Sequence, residues 1–537
     1  MAIAGTGAGE AGGAETLAGV VDAAAGLDER CAFLHCDGRD VTTGELRAAS
    51  RRVAGALRRW EIGRGDPAAI MMGNVPEFLD VWFGIARAGA IEVPVHAAYR
   101  GPLLEHILAE SGARVLFCDA AFLPRLRGLS LPALERVVVR GEADPAEAPA
   151  SVALHGLDEA LSGEEEDGPA LSGEDVSCLL YTSGTTGPSK GVVLTHSANL
   201  HLARANVALM EYTADDVLYT AFPLFHVNAK FTSVVATLLC GGRLVLDQRL
   251  SASRFWERLR EQRVTSFNYM GSMLTMIAKQ PPRPGDREHG VQRAYGGACP
   301  PSLWEPFEQR FGVRLHEHYG MTETGITTQN TRNVRRVGSI GRAAPGFEVR
   351  VADAADREVE VGEVGEIQVR PRLPGIVLRE YWRRPDATIE SMRNLWFHTG
   401  DRARMDADGF FYYVDRLKDS IRRRGENISS FELEGVVDGF PHVVESAAYG
   451  VPSDLGEDDV MVAVVLDPAV GELDVAGLIA HCEARLARFA VPRWIRVVDA
   501  LPRTASQRVQ KFLLREQGVT ADAIDCGDGR SSRSAGR

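Results

Sequence analysis

Apolar positions along the first 400 or so residues follow two alternating rhythms. Short unbroken apolar runs, Ala68 to Met72 and Ile91 to Val95, read as strands buried on both faces. Between them, segments with apolar residues three and four apart, Gly44 to Trp60 and Val75 to Ala88, read as helices. The run Val176 to Tyr181 and the stretch Gly191 to Thr195 predict two further strands, with a helix from Ser197, and the alternation then resumes. Such alternation predicts an α/β domain in which helices cover a largely parallel sheet. From Phe397 the pattern changes. Asp408-Gly409 fits a hairpin turn between Arg402 to Met405 and Phe410 to Val414, after which helices and short strands mix. Ser429-Ser-Phe-Glu432 fits a capping box opening a helix over Phe431 to Asp438. The expected organisation is a disordered tail over 1–15, a large domain over 16–417, a small α+β domain over 418–525 and a second tail over 526–537. Gly141 to Asp175, acidic and rich in Ala, Pro and Gly, reads as a surface connection.

Composition narrows the class. The chain has 537 residues, 45% hydrophobic and 25% charged, an ordinary globular balance for more than one domain. Its net charge of -13 argues against nucleic acid or an anionic membrane as partner, since both require a basic surface. No stretch approaches the roughly 18 apolar residues that span a bilayer. Eight cysteines without a CxxC pair predict a reduced, cytoplasmic protein with no zinc site. The Ala/Gly-rich start lacks a basic n-region and does not read as a signal peptide.

Of the 60 basic residues only five are lysines: Lys190, Lys230, Lys279, Lys418 and Lys511. In a chain that otherwise uses arginine, a retained lysine points to chemistry that needs a compact ammonium. Lys190 closes Tyr181-Thr-Ser-Gly-Thr-Thr-Gly-Pro-Ser-Lys-Gly191, a loop whose glycines let several N–H groups converge on an anion while the hydroxyls donate as well. Its spacing differs from the GxxxxGK[ST] nucleotide loop.

This string resembles the adenylate-forming superfamily of acyl-CoA synthetases, luciferases and peptide-synthetase adenylation domains. The resemblance runs from about Thr42 to Glu516 and is strongest toward bacterial acyl-CoA ligases of the crotonobetaine/carnitine-CoA ligase type. It implies a large N-terminal domain of stacked sheets and helices with a small mobile α+β C-terminal domain. It also implies ATP or acyl-AMP, Mg2+ and coenzyme A as ligands, and a small carboxylic acid as substrate. Thr182, Ser183, Gly184, Thr185, Thr186, Gly187 and Lys190 would hold phosphates. Gly296-Gly297-Ala298 with the aromatic face of Tyr319 would hold adenine, Glu317 accepting from its amine and His318 and Gly320 flanking it. In Tyr319-Gly-Met-Thr-Glu323, Glu323 would be the magnesium ligand and Thr322 would donate to the α-phosphate. Asp401 and Arg416 would meet the ribose.

On the acyl side, His226, Val227 and Asn228 of Pro223 to Lys230 resemble the stretch bordering the substrate carboxylate, with Gly271, Ser272, Gly297, Gly320 and Met321 completing a roomy pocket. No aspartate stands in the 223–230 stretch to pair a substrate ammonium, so the acid is expected to lack an α-amine. Asp415 to Asp419 looks like the family hinge, so the small domain would turn about Lys418 and bring Gly425 to the CoA tunnel.

One departure bears on the reaction. Pro502 to Lys511 resembles a family segment whose Gly-Lys pair serves adenylation, but Gln507 and Arg508 stand in its place. Arg508 suffices, or Lys511 substitutes, or adenylation is slow and the protein chiefly thioesterifies an acyl-adenylate made by a separate enzyme. A carrier-protein thiol as acceptor, luciferase-type oxygen chemistry and a non-catalytic adenylate-binding protein are the alternatives, and a homodimer is left open.

Overall fold

A computed structural model of the protein describes residues 13–182, 189–416, 421–423, 426–453, 458–503 and 509–527. These form two compact units, one of 1–349 with 369–396 and one of 350–368 with 397–537.

Two sheets dominate the larger unit. In the first, five parallel strands, Ile91–Pro94, Pro67–Met71, Val115–Asp119, Arg136–Arg140 and Ala153–Gly156, lie side by side with Val176–Thr182 parallel to Ile91–Pro94. Lys190–Thr195 then turns back antiparallel, and the short strand Glu380–Tyr381 covers its outer edge. The second sheet runs Arg314–Met321, Arg293–Gly297, Ser266–Met270, Val217–Thr220, Arg243–Leu246 and Ala32–Cys36 in parallel, with antiparallel strands at both margins. Both sheets are built from apolar runs because both of their faces are buried.

Helix Thr43–Arg59 starts at a complete capping box, the Glu45 amide donating to Thr42 Oγ1 and the Thr42 amide to Glu45 Oε2. Helix Pro76–Ala88 crosses it closely. Gly84 makes the crossing feasible, since a Cβ there would lie 2.4 Å from that of Val53. Helix His196–Met210, capped by Thr195, packs on Lys190–Thr195 of one sheet and Gly325–Gln329 of the other.

The segment expected as a bare connection is built into the fold. Ala153–Gly156 extends the first sheet, Leu157–Leu161 is helical, and the acids that follow lie on the basic face of Thr43–Arg59. Asp167 pairs with Arg51 at 3.0 Å, Glu165 with Arg52 at 3.3 Å and Glu166 with Arg58 at 2.7 Å. Charge matching to the helix, invisible to local composition, orders it.

In the smaller unit, hairpin Phe397–Met405 and Phe411–Arg416 extends a sheet with Val364–Pro371 and Phe347–Ala352, the two strands along which the chain passes between units. A second sheet orders Val443–Pro452, Asp458–Leu466, Trp494–Val497 and Ile524–Asp525. Its alternation separates two cores. Val460, Val462 and Val464 pack with Leu433 and Leu478, while Met461 and Ala463 pack with Tyr449 and Leu514. Helix Ser430–Asp438 begins at the expected place; Ser429 Oγ donates to the Val414 carbonyl, and the Glu432 side chain lies outside the described residues.

Candidate active site

In the larger unit, Thr182 ends one strand opposite Lys190, which begins the next. The intervening Ser183, Gly184, Thr185, Thr186 and Gly187 lie outside the described residues. The paired strand ends close the base of that loop. His106 Nε2 lies 2.9 Å from the Ser189 carbonyl, tying the exit of the loop to helix Gly101–Ser111.

Lys190 Nζ stands 5.1 Å from the centroid of the Tyr381 ring, and the Tyr381 hydroxyl donates to Glu323 Oε1 at 3.0 Å. The candidate phosphate lysine and the candidate metal carboxylate therefore meet on one tyrosine. Backbone bonds fix that tyrosine: Trp382 N to Gly191 O at 2.8 Å, Arg379 N to Val193 O at 2.9 Å and Leu378 N to Glu323 O at 2.6 Å. Sequence reading passed over Tyr381; its only local signal is an aromatic pair, Tyr381-Trp382, set among arginines.

Glu317 is 3% exposed, and both of its carboxylate oxygens are engaged. Tyr269 donates to Oε2 at 2.7 Å and the Cys299 amide to Oε1 at 3.0 Å. Burial pushes this carboxyl up to about 8. The geometry makes Glu317 a brace beneath the Gly297 to Cys299 turn, where Ala298 has φ 62, a left-handed conformation uncommon outside glycine. His318 stacks on Tyr295 with centroids 4.1 Å apart, and burial lowers its imidazole to about 3, so it is neutral. Tyr319, Gly320, Met321 and Thr322 follow, all partly exposed.

Three of the candidate glycines are accounted for by packing. A Cβ would lie 2.2 Å from the Tyr269 carbonyl oxygen at Gly296, 1.7 Å from that of Ala298 at Gly271 and 2.0 Å from that of Gly325 at Gly320. A side chain at Gly271 or Gly296 would therefore run into the protein's own backbone, and Ser272 is exposed. At Gly297 the approach is looser, with the His318 oxygen 3.2 Å away.

On the acyl side, His226 Nδ1 accepts from the Asn228 amide at 3.2 Å, capping a turn that enters a π-helix over Lys230–Val235. Asn228 Oδ1 accepts from Asn268 Nδ2 and from Thr232 Oγ1 at 3.0 Å; Asn268 also donates to Ser233 at 2.9 Å. His226, Val227 and Asn228 are partly exposed. Two residues beyond Asn228, Lys230 is fully buried, its ammonium paired with equally buried Glu92 and 4.1 Å from the Trp82 ring centroid.

In the smaller unit, Asp401 and Arg416 are register partners, with Arg416 Nε 3.2 Å from Asp401 Oδ1. The start of the strand carrying Asp401 is braced by Glu366, which accepts from the Gly400 amide at 2.9 Å and lies 2.8 Å from His398 Nδ1. Lys418, Gly425, Gln507 and Arg508 lie outside the described residues. The flanks of Arg508 are described: Arg503 bridges Val509, Gln510 N donates to Pro502 O at 2.7 Å, and Arg503 pairs with Glu445. Lys511 is 2.9 Å from Glu434 Oε1 and donates to Ser430 Oγ. Asp415 accepts from the Ser430 amide at 2.6 Å.

Comparison with known proteins gives the family. The AMP-binding enzyme model matches residues 21–382, and the AMP-binding enzyme C-terminal domain model matches 432–508. A crotonobetaine/carnitine-CoA ligase of Salmonella paratyphi A is 34% identical over 499 residues, covering 90% of this chain and 95% of that protein. ATP-bound MatB from Rhodopseudomonas palustris superposes with a TM-score of 0.80 at 28% identity, covering 91% of this chain and 96% of that one. The anthranilate CoA ligase AuaEII with anthranoyl-AMP shares the fold, with a TM-score of 0.83 at 24% identity over 93% and 96% of the two chains. The chain belongs to the AMP-binding enzyme family, as an AMP-forming acid-thiol ligase.

Proposed function

We propose that the protein joins a carboxylic acid lacking an α-amine to coenzyme A through an acyl-adenylate. The observation that carries this reading is the convergence of Lys190 and Glu323 on Tyr381 at the edge of the Gly- and hydroxyl-rich loop. In the first half-reaction a substrate carboxylate oxygen bonds to the α-phosphorus of ATP and the bond to pyrophosphate breaks. In the second, the CoA sulfur bonds to the acyl carbon, the bond from that carbon to the bridging oxygen breaks with its electrons leaving on the phosphate oxygen of AMP, and the thiol proton is released. Lys190 supplies positive charge to phosphate oxygens, and the loop amides orient them.

Magnesium fits this site. Glu323 is a hard oxygen donor, 5% exposed and already oriented by a hydroxyl, and one carboxylate with phosphate oxygens is a usual set for that ion. When bound there it would neutralise triphosphate charge. Asp401 with Arg416 suits the hydroxyls of a ribose; the roles expected of Gly425 and Lys418 in the CoA step fall on residues outside the described ones.

The absence of an α-amine rests on charge. The carboxylate beside the 226–230 segment, Glu92, is neutralised by Lys230, and the neighbouring polar groups are amides and hydroxyls. A buried substrate ammonium would have no anionic partner among these groups, at a cost of several kcal/mol. CoA as acceptor draws support from the CoA ligases that the chain resembles. Eight unpaired cysteines, five of them buried, suit a reducing cytoplasm.

Adenylation is the slower half in this reading. Arg508 replaces a compact ammonium with a planar group. Rescue by Lys511 would require it to leave its ion pair with partly buried Glu434, which opposes that route. The test supplies CoA with ATP and a panel of acids, or with matching acyl-adenylates, and detects thioester by mass. Thioester from supplied adenylate should form faster than from ATP and acid, and Gln507→Gly with Arg508→Lys should raise the ATP-dependent rate about tenfold or more, toward the scale of one restored transition-state donor. Equal wild-type rates, with Arg508→Ala harmless, would discard the slow-adenylation reading; acylation of a carrier protein but not CoA would replace the acceptor.

A further inference from the structure

We infer that Tyr381 is a positioning residue for adenylation, holding the Glu323 carboxylate and the Lys190 ammonium at fixed places on either side of one phosphate site. The inference rests on the functional reading above and extends it to a residue outside both sequence motifs. Lysine and glutamate close together in a protein interior tend to pair with each other, and a paired ammonium and carboxylate have less to offer phosphate and metal. Here the aromatic ring stands against the ammonium at 5.1 Å, and its hydroxyl binds the carboxylate at 3.0 Å. Each charge is oriented without being cancelled by the other.

The tyrosine is itself held firmly. It pairs with Val192 two residues beyond Lys190, its own amide donates to Thr388 Oγ1 at 2.9 Å, and Leu378 N donates to the Glu323 carbonyl. One short strand thus registers the strand that begins with Lys190 against the turn that carries Glu323. Tyr381 is 7% exposed, and its hydroxyl donates to the Glu323 carboxylate. A hydroxyl that orients a ligating carboxylate usually sets metal affinity, with losses of about 10- to 100-fold when it is removed.

Tyr381→Phe keeps the ring and removes the hydroxyl. Pyrophosphate release from ATP and acid should then require about tenfold more Mg2+ for half-maximal rate, while thioester formation from supplied acyl-adenylate stays at the wild-type rate. Tyr381→Leu, which also removes the ring, should add a rise in KM for ATP. In a Glu323→Gln background the hydroxyl loses its charged partner, so adding Tyr381→Phe should cause no further shift in Mg2+ dependence. An unchanged Mg2+ curve in Tyr381→Phe overturns the inference. So does an equal fall in both half-reactions or a further shift in the Glu323→Gln background, since each marks a merely structural role. Failure of wild type to make thioester from any source would instead overturn the ligase reading, so the two failures are distinguishable.

Discussion

Two lysine-glutamate arrangements in the larger unit use the same residue types to opposite ends. Lys230 and Glu92 lie fully buried and bonded to each other, with Trp82 closing over the ammonium. Lys190 and Glu323 are separated by Tyr381. In the first the charges cancel and join the π-helix to a central strand; in the second one tyrosine, ring to the ammonium and hydroxyl to the carboxylate, stands between them. Facing an ammonium, Glu92 serves the fold; facing a phenol that also meets Lys190, Glu323 is held where the proposed chemistry needs it.

The sharpest way to break the comparison is to unbalance the buried pair. Lys230→Met leaves Glu92 charged in an apolar interior, or protonated, as burial already favours. The expected loss is about 3–5 kcal/mol of stability, and Glu92→Gln should lose a comparable amount. Lys230→Met with Glu92→Leu should recover much of it, because the desolvation penalty of both ions disappears together. Chemical denaturation of the three variants checks this. If the double variant is as unstable as the worse single one, the pair does more than neutralise itself.

The open arrangement responds in rate. Lys190→Ala should slow adenylate formation by about 10²–10³, the scale of one lost transition-state donor, with melting temperature nearly unchanged because the ammonium forms no ion pair among the described residues. Stopped-flow pyrophosphate release with a thermal melt separates the two effects. A large stability loss would make Lys190 resemble Lys230 and remove the contrast.

The contrast was half legible in the sequence. Motif spacing and lysine scarcity singled out Lys190, and Glu323, Asp401 and Arg416 fell in recognisable strings; the last two prove to be register partners. The main helices and strands lie within a residue or two of the places expected from periodicity. Tyr381 was not legible, because its role depends on a strand pairing with residues nearly 190 positions earlier. Glu92 carried a usable signal, a lone acid inside an apolar strand run, which buried parallel strands tolerate only when it is paired. The glycines were ambiguous, because a small residue reads alike whether it makes room for a ligand or for a neighbouring carbonyl.

The smallest effect concerns Glu317, a third buried carboxylate, which pairs with no cation among the described residues. Its partners are the Tyr269 hydroxyl and the Cys299 amide, and burial raises its carboxyl from 4.5 to about 8. Between those values the folded protein holds a proton that the unfolded chain has released. The stability tied to this group is therefore fully present below about pH 4.5 and is lost as pH rises toward 8. Glu317→Gln removes the titration and keeps an oxygen to accept from Cys299. The variant should lose the part of the wild-type decline in melting temperature between about pH 6 and pH 8 that corresponds to one titrating group, at most about 1.4 kcal/mol per pH unit. Unlike the lysine-bound carboxylates, Glu317 should give this result equally at low and high salt, because no ion pair is being screened. A pH profile parallel to wild type would show that the carboxyl does not govern it. A raised KM for ATP with the profile flattened would return Glu317 to the adenine as well as to the turn.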